Sequence, residues 1–466
     1  MYNSLGREIV PFVPIREGEV RMYTCGPTVW NYAHVGNYRT FVFEDILRRY
    51  LKFSGYKVTQ VMNITDVEDK IIKGIKQSHK TLKELTEFYE TAFMEDLSSL
   101  NVEKAEFYPR ATEHVNDMLA LIRVLLSKGF AYRAPDGSIY FQVSKFKNYG
   151  ELSGVKLDSL RPAGRVSTDH YEEKKEAVDF VLWKVWDKDD GDVYWDTELG
   201  RGRPGWSIEC SAMSMKYLGE TFDIHTGGMD NKFPHHENEI AQSEAATGKK
   251  FVNFWLHSEF VNVRGEEMHK SVGNFVTLRE LVDQGWDPLT VRLFLLSSKY
   301  RDAIDLTDSA LAQAKVERER LQAFKDRLTA VKEHAETQSG SASQLLEPFA
   351  AAMDDDLNTP AALGVLFTFL KMTNNRLDSG GVGRTEAEEI LNGLRRVDSV
   401  LGVLRVAEEA PLPKALAELV ALRDEARRRK DYAEADKLRA QLLREGVTIE
   451  DTPQGTVWRR VTKSGP

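Results

Sequence analysis

The fold is decided by residues 20–62, VRMYTCGPTVWNYAHVGNYRTFVFEDILRRYLKFSGYKVTQVM. Val20–Thr24 and Lys57–Met62 have the character of β-strands, and the apolar residues of Phe41–Phe53 recur with helical spacing. A strand, a helix and a second strand within about forty residues form a βαβ unit. This unit predicts a parallel sheet with helices on both faces.

The carboxyl ends of the predicted strands are the expected ligand site, because open parallel sheets bind ligands there. Cys25 follows one such end, and Thr65 lies just past another. A second α/β stretch, from Gly205 to about Phe275, is expected to complete the same sheet. Residues 131–200 are predicted to be an insertion between the two halves, opening with a hairpin whose turn is Pro135–Gly137.

Composition limits the possible classes of protein. At about 100–200 residues per domain, 466 residues predict three domains. A hydrophobic share of 42% with 29% charged residues excludes wholesale disorder. No apolar run is long enough for a membrane span, and residues 1–17 lack the apolar core of a secretory signal. The two cysteines indicate a cytoplasmic setting.

The C-terminal part is predicted to be helical from Thr277 onward, with a final hairpin. Asn358 and Pro360 form a helix start signal, an N-cap followed by proline in the first turn. Leu416–Glu445 has one continuous helical pattern and is expected to form a single long helix. The strand-like stretches 447–450 and 456–460 flank a turn.

Three motifs carry candidate chemistry, and the first is PTVWNYAHVGN at residues 27–37. Gly36 allows close approach of a ligand, and His34 and Asn37 lie near a helix N-terminus, which favours phosphate. The alternative is a polar loop whose histidine caps the helix, and these residues alone favour that alternative.

The second motif is EMHKSVGNF at residues 267–275, where Lys270 and Ser271 can hold a leaving pyrophosphate. Solvated lysines on loops are common, so the motif alone is weak. The third is DIHTGGMDNKFPHHENE at residues 223–239.

Within the third motif, Gly227 and Gly228 allow backbone to approach a flat ring, and Asp230 is a candidate for ribose hydroxyls. Pro234 suits the first turn of a helix. That helix would put His235 and Glu239 at i and i+4 on one face, as metal ligands or as part of a capped, salt-bridged helix.

Together these motifs resemble the class I aminoacyl-tRNA synthetases, and within them the cysteinyl-tRNA synthetase family. The matching stretches are YTCGPTVWNYAHVGNYRT, NITDVEDKI, GRPGWSIECSAM, DIHTGGMDNKFPHHENEIAQS, the Lys270 loop and EDTPQGTVWRR. The likeness covers nearly the whole chain.

The resemblance implies that one zinc ion is bound by four residues, Cys25, Cys210, His235 and Glu239. An isolated cysteine is usually a small buried hydrophobe, and the family match reverses that preference. Zinc would discriminate cysteine from serine, because thiolate is a soft ligand and a hydroxyl is not. Trp206 is a candidate wall of the amino-acid pocket, with plain core packing as the alternative, and Thr65 is a further pocket candidate.

His34 and Asn37 match the HIGH signature of the family and would stabilise charge on the α-phosphate of ATP, which needs magnesium. Lys270 matches the second lysine of the KMSKS signature and would balance pyrophosphate charge. Glu267 and His269 depart from that signature, so one cationic contact of the loop with ATP is lost.

The tail from Lys414 has twelve lysines and arginines against nine acidic residues, in a chain of net charge −9. Trp458 beside Arg459 is a candidate for stacking on an anticodon base, and Arg427 begins a basic run on a helix. The alternatives are a tryptophan packed on the preceding helix and a solvated arginine face.

The predicted fold class is therefore α/β: a Rossmann-like parallel-sheet catalytic domain with an insertion, then a helical bundle and a small C-terminal α+β tail. The expected domains are the first catalytic half, the insertion, the second catalytic half, the bundle and the anticodon-binding tail, at 1–130, 131–200, 201–300, 301–406 and 414–466.

The expected reaction joins cysteine to tRNA(Cys) at the expense of ATP, in a cytoplasmic monomer without a membrane partner. Two alternatives stay open: a cysteine–aminosugar ligase of thiol biosynthesis and a non-catalytic tRNA-binding protein. The basic tail argues against the first, and retention of Lys270 and the metal-ligand candidates argues against the second.

Overall fold

A computed structural model describes residues 1–156, 178–268, 274–331, 340–404, 414–429, 431–445, 447–452 and 455–460. The chain divides into two compact units, Met1–Leu404 and Arg405–Pro466. Among the described residues, no helix combines the length and apolarity needed to cross a bilayer.

The described residues form the following elements in chain order. The strands are β1 (Tyr2–Asn3), β2 (Glu8–Ile9), β3 (Glu19–Thr24), β4 (Lys57–Met62), β5 (Ala131–Arg133), β6 (Ile139–Phe141), β7 (Phe180–Val185), β8 (Gly202–Pro204), β9 (Phe222–Gly228), β10 (Val252–Ser258), β11 (Val261–Val263), β12 (Glu266–Glu267), β13 (Ile304–Leu306), β14 (Val447–Thr452) and β15 (Gly455–Arg460). The helices are α1 (Val35–Phe53), α2 (Asp69–Ser78), α3 (Leu82–Ser99), α4 (Val115–Ser127), α5 (Trp206–Leu218), α6 (Met229–Asn231), α7 (Glu237–Thr247), α8 (Leu278–Asp283), α9 (Pro288–Leu296), α10 (Asp308–Thr329), α11 (Ser343–Asp354), α12 (Thr359–Asp378), α13 (Arg384–Leu401), α14 (Lys414–Arg428) and α15 (Tyr432–Arg444).

The predicted parallel sheet is confirmed, with strand order β10-β9-β3-β4 and every pair parallel. The βαβ unit is β3, α1 and β4, and α1 begins at Val35, before the predicted Phe41. Strands β3 and β9 are adjacent in the sheet although the insertion separates them in the chain. Strand order reverses between them, and this topological switch point opens a crevice at their carboxyl ends.

Both faces of the sheet are covered, as parallel strands require. Val20 and Met22 of β3 are fully buried in one core, which includes α1 and the helices α9–α13. Tyr23 of β3 and Trp255 of β10 are fully buried in a second core with α4, α5 and α7. The alternation along β3 therefore places helices on opposite sides, which accounts for the almost continuous apolar character of the strands.

The insertion forms an antiparallel sheet of order β5-β6-β7-β8. The predicted hairpin is confirmed, because β5 pairs with β6 antiparallel and Gly137 in their turn has a positive φ of 98°. Glycine adopts this conformation without the steric cost that other residues meet.

The helical segment after Thr277 is confirmed in α8–α13, apart from the short strand β13, which pairs with β11. The start signal of α12 is also confirmed. Asn358 is the N-cap and its side chain accepts a hydrogen bond from the Ala361 N–H at 3.2 Å, with Pro360 in the first turn.

The prediction of one helix over Leu416–Glu445 is wrong. The described residues form two helices, α14 and α15, and Asp431 caps the second by accepting a hydrogen bond from the Glu434 N–H at 3.2 Å. The helices pack on each other and on β14, around a small core that includes Leu442 and Val447. A single long helix would leave its apolar stripe uncovered. The final hairpin is confirmed as β14 paired antiparallel with β15.

A buried charge cluster ties α1 to the helical segment. Asp45 of α1 accepts hydrogen bonds from Arg292 at 2.5 Å and from Arg49 at 2.7 Å, and the Arg292 side chain is fully buried. Arg292 also donates to the Leu401 carbonyl at the end of α13, at 2.7 Å. Breaking such a buried cluster by removing one partner leaves an uncompensated charge in a dry environment.

We therefore predict that Asp45→Ala lowers the free energy of unfolding by about 3–5 kcal/mol, because the fully buried guanidinium of Arg292 loses the carboxylate with which it pairs. Urea denaturation followed by tryptophan fluorescence measures the change. Arg384→Ala is the matched control, because the Arg384–Glu388 pair is exposed and should contribute less than about 1 kcal/mol. Equal effects of the two substitutions would contradict the role of the cluster.

Candidate active site

A cavity of about 450 Å³ opens at the carboxyl ends of the central strands. Cys25 follows β3, Thr65 lies beyond β4, Gly228 ends β9 and Ser258 ends β10, and all four line the cavity. This size lies within the range of ligand sites for small molecules and cofactors. The predicted ligand site at the strand ends is therefore present as a cavity.

Four metal-ligating side chains converge at one side of this cavity: Cys25, Cys210 on α5, His235, and Glu239 on α7. All four are buried, and their ligand atoms lie within 4.8 Å of one another. Two thiols, an imidazole and a carboxylate form a donor set that suits a transition metal. Glu239 Oε1 lies 3.2 Å from His235 Nε2 but accepts no hydrogen bond among the described residues, so a buried acceptor faces this donor set.

The prediction that Pro234 lies in the first turn of a helix is confirmed. Phe233 has extended φ and ψ of −141° and 130° and separates two helices, and the chain from Pro234 onward is helical and continues into α7. The i, i+4 relation therefore brings His235 and Glu239 together on one face.

The electrostatics of the two thiols differ. Burial and the neighbouring Cys210 raise the pKa of Cys25 well above its usual range. Burial alone would raise the pKa of Cys210 as well, but hydrogen bonds with Cys25 and His235 and the charge of His235 lower it to about 6. One thiolate and one thiol are therefore expected at neutral pH without metal.

A chain of histidines lies behind Cys25, and the sequence analysis missed it. Cys25 Sγ lies 3.2 Å from His236 Nε2, His236 Nδ1 lies 2.8 Å from His257 Nε2, and His257 Nδ1 lies 2.8 Å from Ser4 Oγ. Burial lowers the pKa of His236 and of His257 well below the usual range, so both rings are neutral. The chain fixes the orientation of the sulfur from behind, in the way that outer hydrogen bonds orient metal ligands.

A second group of four, Cys25, His225, His236 and Glu239, also has its ligand atoms within 4.8 Å. His225 Nε2 lies 3.0 Å from Glu239 Oε2, and His236 is engaged with His257. Neither His225 nor His236 lines the cavity, whereas Cys25, Cys210 and His235 do. An ion that meets a ligand in the cavity therefore fits the first group.

Trp206 begins α5 and is 39% exposed, so it is not a core tryptophan. Its ring stacks on His235 with centroids 4.0 Å apart and an interplanar angle of 21°, and it lines the cavity. Thr65 is buried and its hydroxyl accepts a hydrogen bond from Asn63 at 3.0 Å. Glu209, beside Cys210, was not predicted from the sequence, and neither of its buried carboxylate oxygens has a hydrogen-bond partner among the described residues.

His34 caps α1, as predicted by the alternative interpretation in which the motif is a capping loop, and it also lines the cavity. His34 Nδ1 accepts a hydrogen bond from the Asn37 N–H at 3.3 Å, and Asn37 Oδ1 accepts one from the His34 N–H at 3.1 Å. Because Nδ1 accepts, the neutral ring carries its proton on Nε2. A Cβ at Gly36 would lie 2.8 Å from the His34 ring, so this cap requires glycine.

The glycine pair of the third motif has two different roles in packing. A Cβ at Gly227 would lie 2.7 Å from His236, so this glycine makes room for the histidine chain and does not line the cavity. Gly228 and Asp230 do line it, and burial raises the pKa of Asp230.

The remaining predicted residues are described in part or not at all. Lys270 and Ser271 lie outside the described residues. Trp458 and Arg459 belong to β15, where they pair with Ile449 and Thr448 of β14, and Arg427 is exposed on α14.

Comparison with known proteins gives consistent matches along the chain. Residues 11–316 match the catalytic domain of class I (C) tRNA synthetases, residues 348–405 the DALR domain, and residues 409–459 the cysteinyl-tRNA ligase anticodon binding domain.

Individual relatives cover almost the whole length. The cysteine–tRNA ligase of Brachyspira hyodysenteriae is 46% identical over 474 residues, covering 98% of each chain. That of Chlamydia pneumoniae is 46% identical over 459 residues, covering 97% of this chain and 96% of the relative. Among solved structures, methionyl-tRNA synthetase from Mycobacterium tuberculosis in complex with methionyl-adenylate shares the fold, with a TM-score of 0.59 at 14% identity over 83% of this chain and 90% of that one.

We predict that metal binding releases protons. Because the pKa of Cys25 is raised, its thiol is protonated at neutral pH and must lose the proton to ligate a metal. Adding zinc to chelator-stripped protein at pH 7 in weak buffer should release about one to two protons per ion, measured with an indicator dye.

The apparent metal affinity should consequently rise with pH, by about tenfold per unit for each proton released. Cys25→Ser is the control and should release about one proton fewer. Metal binding without any change in proton release between the two proteins would contradict the assignment of Cys25 as a ligand.

Proposed function

The chain belongs to the cysteine–tRNA ligase family of class I aminoacyl-tRNA synthetases, and from this we propose that a zinc ion selects its substrate cysteine through the thiolate. The protein is a ligase that forms aminoacyl-tRNA. The proposed reaction has two steps. Cysteine and ATP form cysteinyl-adenylate and pyrophosphate, and the cysteinyl group then passes to a ribose hydroxyl of the terminal adenosine of tRNA(Cys).

The observation that carries the metal proposal is the convergence of Cys25, Cys210, His235 and Glu239 beside the cavity. Zinc bound by these four residues could expand to five ligands and so admit a soft sulfur ligand. A pocket based on shape alone separates near-isosteres by only about a hundredfold. A metal that binds sulfur in preference to oxygen would therefore add discrimination between cysteine and serine. The neutral His236 behind Cys25 holds that ligand in place without adding charge.

The proposed ATP site is the N-terminus of α1 with the loop around Lys270. The capped start of α1 offers free N–H groups and the positive end of the helix dipole, which favour phosphate. His34, with its proton on Nε2, and the amide of Asn37 are donors for the α-phosphate. By resemblance, Lys270 and Ser271 would hold the leaving pyrophosphate, and magnesium would be bound through the phosphates. Asp230 is proposed to accept ribose hydroxyls.

The proposed amino-acid pocket lies between Trp206 and Thr65, which both line the cavity near the four ligands. The exposed indole face of Trp206 gives the pocket an apolar wall whose position His235 fixes by stacking.

We propose that the C-terminal unit reads the anticodon of tRNA(Cys) through Trp458, Arg459 and Arg427. The supporting observations are the match of residues 409–459 to an anticodon binding domain and the exposure of Arg427. Stacking of a base on an aromatic ring beside arginine is a common way to bind unpaired RNA. The proposal also includes a cytoplasmic location, which sparse cysteine content supports, and a monomer, which sedimentation would test.

The aminosugar ligase and the non-catalytic RNA-binding protein are the weaker candidates. The full-length relatives are named cysteine–tRNA ligases, and the match extends through the C-terminal unit that a small-molecule ligase would not need.

Cysteine-dependent exchange between ATP and labelled pyrophosphate tests the proposed function. Exchange should occur with cysteine, should be at least about a thousandfold slower with serine, because serine offers no thiolate to a metal, and should be lost with a chelator and restored by zinc. Serine activated as readily as cysteine, or exchange indifferent to chelation, would contradict selection by a metal.

Trp206 gives a second test. Trp206→Ala should raise the KM for cysteine in the exchange assay by about tenfold or more, because the pocket loses its aromatic wall, and should leave the KM for ATP nearly unchanged. Trp206→Phe retains a ring over His235 and is the control. A parallel rise of both KM values would mean that Trp206 supports the fold of the site rather than the amino acid.

A further inference from the structure

Three aromatic rings form a cluster at the rim of the cavity: Tyr32, Phe88 and Tyr89, called here the aromatic cluster. The centroids of Tyr32 and Tyr89 are 5.3 Å apart, those of Phe88 and Tyr89 are 5.1 Å apart, and the rings meet edge to face. Tyr32 and Tyr89 line the cavity, whereas Phe88 lies on the outer side and is 46% exposed. The cluster therefore runs from the cavity to the surface.

The hydroxyl groups of the two tyrosines have no hydrogen-bond partner within the part of the chain that the structure describes. Tyr32 follows the strand-end loop and lies two residues before the cap of α1, and Tyr89 lies on α3. A buried structural cluster would satisfy these hydroxyls or replace them by phenylalanine. Open donors and exposed ring surface are instead typical of a binding surface.

A row of lysines lies beside the aromatic cluster. Lys70 and Lys73 are three residues apart on α2, and Lys80 follows the helix, with its Nζ 4.6 Å from the centroid of the Phe88 ring. All three are exposed, and none forms an ion pair within the described residues. Lys70 also lines the cavity. Nearby Lys76 and Lys83 are in contrast paired with Asp189 and Glu87. We call Lys70, Lys73 and Lys80 the lysine row.

The lysine row and the aromatic cluster belong to one packed surface. A Cβ at Gly74 on α2 would lie 3.1 Å from Leu85 of α3 and 3.9 Å from the Trp30 carbonyl, so α2, α3 and the Trp30–Tyr32 loop are in close contact. Tyr38 of α1 donates a hydrogen bond to Asp96 of α3 at 2.7 Å, which anchors α3 beside the cavity. The surface is therefore fixed relative to the site of adenylate formation.

We propose that the aromatic cluster and the lysine row bind the single-stranded 3′ end of the tRNA and lead it into the cavity. This inference rests on the proposed function. Unpaired RNA is bound by aromatic rings that stack on bases and by cations that follow the backbone, and both are present here in one track. The terminal ribose must reach the adenylate inside the cavity. A binding surface that begins on the outside of the protein and ends in the cavity would lead the RNA to it. Phe88 does not line the cavity, so a nucleotide bound inside the cavity would not need its ring.

Binding of two RNA transcripts tests the proposal: full-length tRNA(Cys) and the same transcript without its last three nucleotides. Phe88→Leu keeps apolar bulk but removes the flat ring, and should raise the Kd of the full-length transcript by about tenfold. The Kd of the shortened transcript should stay unchanged. Phe88→Trp should bind both as the original protein does. The matched control is Phe107→Leu, because Phe107 is 43% exposed and packs against Tyr217 instead.

Salt dependence tests the lysine row in the same assay. Lys73→Glu should reduce the slope of log Kd against log salt concentration by about 0.7 for each lost contact with a single-stranded phosphate, for the full-length transcript only. Lys315→Glu is the matched control, an exposed lysine on α10.

Equal losses for the two transcripts, no loss for Phe88→Leu, or a Phe88→Trp protein as weak as Phe88→Leu would each overturn the proposal. Cysteine-dependent exchange in the same preparations separates this failure from that of the proposed function. Loss of exchange confined to Phe88→Leu would assign the cluster to the adenylate site, whereas absence of exchange in the unchanged protein would contradict the proposed function itself.

Discussion

The parallel pairing of β3 with β9 is the constraint on which the rest of the structure depends. It extends one residue beyond β3, because the Cys25 N–H donates to the Thr226 carbonyl at 3.1 Å. This hydrogen bond fixes a cysteine at the strand end where order in the sheet reverses. The helices flanking β9 carry two of the other donors, Cys210 on α5 and Glu239 on α7, so a single strand pair brings together residues that are far apart in the chain.

Placing these donors in the interior has consequences for everything packed around them. Two thiols, one carboxylate and three histidines lie buried together, and several polar atoms there lack hydrogen bonds among the described residues, such as Glu239 Oε1 and both oxygens of Glu209. Burying such atoms without partners costs free energy unless a ligand or ion meets them. The buried cluster is therefore a set of groups arranged for something they bind, and two of its members, Cys25 and Cys210, belong to the second core.

How much the sequence could predict follows from the range of each interaction. Local signals were sufficient for β3, α1, the hairpins and the Asn358 cap, since each depends on residues within a few positions. The helix break at Asp431 was missed because the apolar spacing continues across it and only packing of α14 on α15 distinguishes one helix from two. Pro234 lies in the first turn of its helix as predicted, because the preference of proline for that position is a local signal. The histidine chain could not be predicted, because it joins Ser4 to His257 across 253 positions. The metal-ligand set came from family resemblance rather than from spacing.

The central claim is that a metal held by both cysteines selects the substrate through its sulfur, and X-ray absorption at the zinc edge tests it most directly. The zinc-loaded protein should show two sulfur scatterers at about 2.3 Å together with nitrogen and oxygen ligands. Addition of cysteine should raise the sulfur count to three, and addition of serine should leave it at two. A sulfur count that stays at two with saturating cysteine would contradict the account, since the substrate would then be recognised without contact between its thiolate and the metal.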